Sequence, residues 1–216
     1  MSPIKKHKSA RLAGYFFVVY YLVGLAGLSI PHTREIFTRL VPVSILLSTA
    51  ILLFFHRQWR RSDGAVLLLI AITGYLIEVL GVLTGHVFGS YAYGATLGPK
   101  VFETPLIIGI NWMMLIYCVF AIMEPARLFW PLKVLSGAVL MVAYDVVLEP
   151  VAIRLDMWNW AGGEIPLQNY QAWFIISVIF LSFMQLAGVR THNRAAPWLF
   201  GIQFLFFLLL NIGLRI

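Results

Sequence analysis

AVLLLIAITGYLIEVLGVLTG, residues 65–85, is an unbroken apolar run with one charged side chain, Glu78, near its middle. A second run, VLSGAVLMVAYDVVLEPVAI at 134–153, carries Asp145 and Glu149. About 20 apolar residues cross the hydrocarbon core of a bilayer as a helix, so both runs read as membrane spans. A carboxyl group at that depth is costly and marks a functional site by default.

The composition around these runs agrees. Of 216 residues, 61% are hydrophobic and only 12% charged, and the mean hydropathy is +0.86, far from the values of soluble domains. Seven stretches fit a spanning template: 13–30, 40–56, 65–85, 105–123, 131–152, 172–189 and 197–214. The chain is therefore all-α, a polytopic membrane helical bundle of about seven transmembrane helices, forming a single integral-membrane domain over residues 1–216. Lys5, Lys6, Lys8 and Arg11 precede the first apolar stretch as they would in a signal peptide, but no small-residue cleavage site follows, so this stretch is expected to be a retained span.

Charge sets the orientation. Eleven of the 16 Lys and Arg residues (Lys5, Lys6, Lys8, Arg11, Arg57, Arg60, Arg61, Arg127, Lys133, Arg190 and Arg194) fall on one side of the spans, and five (Arg34, Arg39, Lys100, Arg154 and Arg215) on the other. The positive-inside rule puts the N-terminus in the cytoplasm, and the expected location is the bacterial inner (cell) membrane. The basic residues are scattered over four short segments, so the +7 charge reflects topology and not a nucleic-acid surface. Cys118 is the single cysteine, which excludes an internal disulfide. His and Cys spacings suggest no metal, and phosphate-binding, dinucleotide and nucleophile-elbow motifs are absent.

The spacing Gly74, Glu78, Gly81, Gly85 puts one carboxyl on a glycine stripe along one helix face. Such a stripe admits a second helix or a flat ligand, and it can serve an internal contact or a homo-oligomer. Asp145 and Glu149 stand one turn apart on a shared face, and Pro150 predicts a kink or helix end at Glu149. Glu78 and Asp145 should lie at similar depth in the outward half of the bilayer. Asn111 and Trp112 could line the same pocket or bridge helices, Gln185 and Gln203 fit interhelical hydrogen bonds, and His86 is a candidate ligand or proton carrier. Two outward loops, 86–104 and 154–171, are rich in glycine, proline and aromatics. Tyr91, Tyr93, Trp158, Trp160 and Tyr170 suit either an aromatic belt at the headgroups or the rim of a pocket.

These residues carry a resemblance. Glu78-x-x-Gly81-x-x-x-Gly85-x-x-Phe88-Gly89-x-Tyr91-x-Tyr93, then Leu97-Gly98-Pro99 and Asn111-Trp112, is similar to the integral-membrane carotenoid biosynthesis family that includes the bisanhydrobacterioruberin hydratases and gamma-carotene 1'-hydroxylases. Asp145-x-x-x-Glu149-Pro150-Val151-Ala152, Trp158-x-Trp160 and Ile165-Pro166-Leu167-x-Asn169-Tyr170-x-x-Trp173 extend it to about residues 10–215. Departures at Gln171-Ala172 and at Glu149 bear on substrate preference. More distantly, the chain resembles the small membrane lycopene cyclases and membrane terpene cyclases.

The resemblance implies a cofactor-independent carotenoid 1,2-hydratase, a hydro-lyase that adds water to the terminal isopropylidene double bond of an acyclic carotenoid end. Its substrate would reach it through the bilayer, with membrane lipids and other carotenoid enzymes as further partners. Glu78 or Asp145 would protonate the alkene, since a carboxyl in a low-dielectric site retains its proton, and Glu149 would take the proton of the attacking water. The implied substrate-binding set is Gly81, Gly85, Tyr91, Tyr93, Asn111, Trp112, Trp160, Asn169 and Trp173, with the aromatic faces stabilising a carbocation. A carotene cyclase or isomerase would use the same protonation. A non-enzymatic carotenoid-binding or small transport protein would use the carboxyls structurally or as a proton relay.

Overall fold

The computed structural model describes residues 3–213, with side chains from Arg11 onward. Lys5, Lys6, Lys8 and Arg215 of the charge count lie outside the described side chains. The chain runs α1 (Pro3–Ser29), α2 (Pro31–Arg39), α3 (Val41–Phe54), α4 (Arg61–Thr84), β1 (Tyr91–Tyr93), β2 (Lys100–Val101), β3 (Thr104–Pro105), α5 (Ile107–Met123), α6 (Trp130–Arg154), β4 (Trp158–Trp160), α7 (Leu167–Leu186) and α8 (Ala196–Gly213). All seven apolar stretches fold as helices. Five of the helices, α1, α4, α6, α7 and α8, are long and apolar enough to cross a membrane, and α2 with α3, bent by 55°, would make a sixth.

Helix α5 explains why length and apolarity do not give the number of crossings. It has only 17 residues, yet Met114, Leu115, Ile116, Tyr117, Cys118 and Val119 are completely buried. A helix that is apolar all round belongs in an interior, and α3, α4, α6, α7 and α8 all pack on it. The outer helices instead sort their residues. On α4, Leu68, Leu69, Ile72, Leu76, Leu80 and Leu83 form an exposed stripe, while Val66, Leu67, Ile70, Gly74, Glu78 and Gly81 are buried. The helical period separates a lipid-facing side from a core-facing one.

Helix α6 passes through Pro150 and ends at Arg154, so of the two outcomes expected at Glu149, a kink or a helix end, the helix end does not occur. Proline removes one backbone donor, but this one sits in the last turns of the helix, and membrane helices tolerate such losses when neighbouring groups supply bonds. Asn211 of α8 donates to the Val147 carbonyl at 2.7 Å in the same stretch.

The two ends of the bundle differ. At one end the loops before α4, α6 and α8 meet: Arg60 donates to Gly188 O at 2.5 Å and Thr191 to Glu124 at 2.6 Å. At the other end the two long loops pair as an antiparallel ribbon, with Tyr91 opposite Trp160 and Tyr93 opposite Trp158. Gly94 follows β1 where an added Cβ would come within 2.1 Å of the Asp156 carbonyl, so only glycine lets the strands approach there. A second hairpin, β2–β3, turns through Phe102 and Glu103, both in the left-handed region at φ 50° and 58°. That pair of conformations is what a two-residue hairpin loop requires.

Candidate active site

Helix α4 delivers Glu78 to the interior on its buried stripe, and the glycines beside it are filled by the protein's own rings. A Cβ on Gly74 would meet Trp112 Cβ at 2.9 Å, and one on Gly81 would meet Phe88 Cδ2 at 2.6 Å. At Gly74 the stripe thus seats a second helix, α5, through Trp112, and at Gly81 the place a flat ligand would take is filled by the Phe88 ring. Gly109 lets α5 approach α4 closely, since a Cβ there would fall 2.3 Å from the Ala71 carbonyl. One turn later, Trp112 meets the carboxyl. Gly85 ends α4 in the left-handed conformation, φ 68°, its N–H bonded to Gly81 O, and so turns the chain back over the helix end.

The returning chain closes on Glu78 from above. Tyr91 and Tyr93 hydroxyls donate to its Oε2 at 2.5 and 2.7 Å, and the Trp112 indole N–H donates to Oε1 at 2.7 Å. Burial, reinforced by Glu78, pushes both tyrosine hydroxyls far above their ordinary range, so they remain proton donors to the carboxyl at any physiological pH.

Strand β4 treats Glu149 in the same manner. The indole N–H groups of Trp158 and Trp160 donate to its Oε2 at 3.0 and 2.9 Å. Successive residues of a strand point to opposite sides, so Tyr91, Tyr93, Trp158 and Trp160 all turn inward while Ala92 and Asn159 are exposed. The ribbon is thus a four-ring roof over two carboxyls. Asn169, near the start of α7, donates to Asp145 Oδ2 at 2.6 Å and to Glu149 Oε1 at 3.3 Å.

Beneath the roof lies a cavity of about 30 Å³, lined by Glu78, Glu149, Asn111, Asn169 and the aromatic groups, with the Trp173 and Trp112 rings tilted against each other at 4.4 Å. Asp145 does not line it. It is 0% exposed, lies behind Asn169, and its Oδ1 has no hydrogen-bond partner. The structure therefore brings Glu78, Glu149, Tyr91, Tyr93, Asn111, Trp112, Trp160, Asn169 and Trp173 to one chamber and sets Asp145 one side chain back.

Other candidates lie elsewhere. His86 is exposed at the rim, where its carbonyl accepts from Gln168. Gln203 bridges helices as expected, donating to Tyr21 at 2.6 Å and accepting from Tyr144 at 3.4 Å. Gln185 lines a cavity at the opposite end with Lys133 and Arg190. Trp158, read in sequence as a belt or pocket-rim aromatic but not placed in the substrate-binding set, is a roof residue. Its signal was the W-x-W alternation matching Y-x-Y.

A family model described as carotenoid biosynthesis protein matches residues 40–216, which include every chamber residue. Bisanhydrobacterioruberin hydratase of Haloarcula japonica is 26% identical over 156 residues, 64% of this chain and 52% of that protein. The chain spans about half the length of this curated relative. No solved structure matches. With the match running from just before α3 to the C-terminus across a multi-pass helical bundle, the chain belongs to the carotenoid biosynthesis protein family.

Proposed function

We propose that the chain is a carotenoid hydratase that adds water to the terminal isopropylidene double bond of an acyclic carotenoid end, working within a cell membrane. The observation that carries this is the pairing of Glu78 and Glu149 on one small chamber roofed by aromatic donors. About 30 Å³ is room for roughly one or two water molecules, and the polar groups around it supply the partners such a water needs.

The chemistry divides between the two carboxyls. Glu78 transfers a proton to the less substituted alkene carbon, which leaves a tertiary carbocation. The faces of Tyr91, Tyr93, Trp112, Trp160 and Trp173 stabilise that charge through their ring quadrupoles. Water held by Glu149 and Asn169 bonds to the cationic carbon and passes its proton to Glu149. Return of that proton to Glu78 through chamber water resets the site. No electrons are gained or lost, so the reaction needs no redox cofactor. Asp145 acts through Asn169, which it holds against Glu149. The wet chamber favours capture by water over capture by an internal double bond, the outcome a cyclase would give.

The test is expression in bacteria that make lycopene or gamma-carotene, followed by mass analysis. The expected product carries the mass of one added water, absent with Glu78→Gln or Glu149→Gln. A ring-closed product of unchanged mass would establish the cyclase reading instead. Stoichiometric pigment held unchanged by the pure protein would make it a carrier.

A further inference from the structure

Next to the chamber lies a larger void of about 340 Å³, bounded by α1, α2, α3, α5, α6 and α8. The two share four wall residues, Ile108, Asn111, Leu148 and Trp158, and so adjoin there. Asn111 stands at the junction, half-buried, and its amide has no hydrogen-bond partner among the described residues. On the far side the wall reaches Val23 and Leu40, which are exposed on the lipid-facing surface.

Apart from Asn111 at the junction, the polar side chains along this void are already paired. Tyr20 pairs with Ser44 at 2.7 Å, Tyr21 with Ser48 at 2.9 Å, and Gln203 with Tyr21. No charged side chain lines the void among the described residues. The charged headgroup of a phospholipid or fatty acid would find no counter-charge there, whereas a hydrocarbon would meet rings and aliphatic chains. The volume lies near the lower end of the roughly 300–1,000 Å³ usual for ligand pockets, so it encloses part of a long polyene and not its whole length.

From this arrangement we infer that the void between α1, α3, α6 and α8 is the binding site for one end of a linear isoprenoid polyene, inserted terminal double bond first toward Asn111 and Trp158. The remainder of the chain passes out between α1 and α3 into the lipid. This assignment rests on the hydration reading for the identity of the occupant, but it places the substrate away from the glycine stripe of α4. It also makes the protein a reader of one end, indifferent to whether the other end is open or cyclised.

Thiol labelling tests the placement, because the native Cys118 is completely buried. Gly24 borders the void, and a Cβ there meets only Phe206, at 3.5 Å. In purified protein, lycopene is expected to slow maleimide labelling of Gly24→Cys several-fold and to leave Leu22→Cys, which is exposed to lipid, unchanged. Gly24→Phe is expected to abolish lycopene binding read by visible circular dichroism, while Glu149→Gln retains it. Gamma-carotene should protect Gly24→Cys as well as lycopene does. Absence of protection at Gly24→Cys, equal protection at both cysteines, or wild-type binding by Gly24→Phe would overturn the assignment. Protection without water addition by the wild type would sink the hydration reading and leave the site standing. Water addition without protection would do the reverse.

Discussion

Glu78 on α4 and Glu149 on α6 are gripped by opposite strands of a single ribbon, the first by two tyrosine hydroxyls of β1 and the second by two indoles of β4. The two carboxyls are thereby positioned by the same small element, and their separation is fixed by the pairing of its strands. Preorganised groups of this kind need no rearrangement when charge develops.

Loss of either carboxyl should stop the reaction. Glu78→Gln and Glu149→Gln each keep side-chain shape and an acceptor oxygen for the surrounding donors, so the fold should persist. Each removes a proton-transfer group whose contribution is typically about 10²–10⁴-fold. Chromatography of pigments from a carotenoid-producing host should show unhydrated carotene accumulating, with normal protein levels in the membrane fraction.

Asp145→Asn should behave differently, because Asp145 touches Asn169 and not the chamber. The expected loss is roughly 10- to 100-fold, the scale of a misplaced group, and the shape of the pH–rate profile should be unchanged. Loss as deep as that of Glu78→Gln, with one limb of the profile missing, would make Asp145 the acid.

Two glycines of α4 should respond with opposite signs. Gly81→Ala drives a methyl to 2.6 Å from the Phe88 ring and close to the Tyr91 hydroxyl, and overpacking of this kind costs about 1–3 kcal/mol. At Gly64, on the same helix, nothing lies within 4 Å of an added Cβ, so Gly64→Ala should stabilise by about 0.5–1 kcal/mol through backbone entropy. Thermal unfolding in detergent measures both, and the hydroxylated product should fall only for the first.

Stability should depend on pH through the opposite end of the bundle. His56 is buried beneath Trp59, its Nδ1 is 2.8 Å from the Tyr117 hydroxyl, and its Nε2 is 3.6 Å from Asp63. Burial holds its pKa below the ordinary value of 6.5, with Asp63 opposing in part. The unfolded chain therefore binds a proton more readily than the folded one. Stability should be full above about pH 6.5 and decline as the pH falls through that value. Unfolding midpoints measured from pH 8 to 5 should show this decline in the wild type and a flatter profile in His56→Gln.

The helices were legible in sequence because apolarity and length are local properties, and all seven stretches fold accordingly. The number of crossings was not, since α5 is a fully wrapped central helix and α3 is bent against α2, and both facts depend on neighbours. Glu78 and Glu149 announced themselves as buried carboxyls. What held them was harder to read: three residues of Y-x-Y or W-x-W are too few to separate a strand from an interfacial belt, and their pairing joins distant loops. The glycine spacing on α4 was visible, whereas its occupants, Trp112 and Phe88, come from elsewhere in the chain. The helix end offered as one outcome at Glu149 followed a local rule that neighbouring helices relax. Likewise the large void depends on the apolar part of α1, residues 13–29, which carries no charged or motif residue.

The ribbon's alternation constrains how this protein can vary in length. Adding or deleting one residue within Tyr91–Tyr93 would put the two tyrosines on opposite faces of the strand and cost Glu78 one of its two hydroxyl donors, although every helix stayed intact. Changes of length should be harmless at Gly162–Gly163, where no neighbour crowds the backbone, and ruinous a few positions earlier. Chemistry here is held in frame by parity.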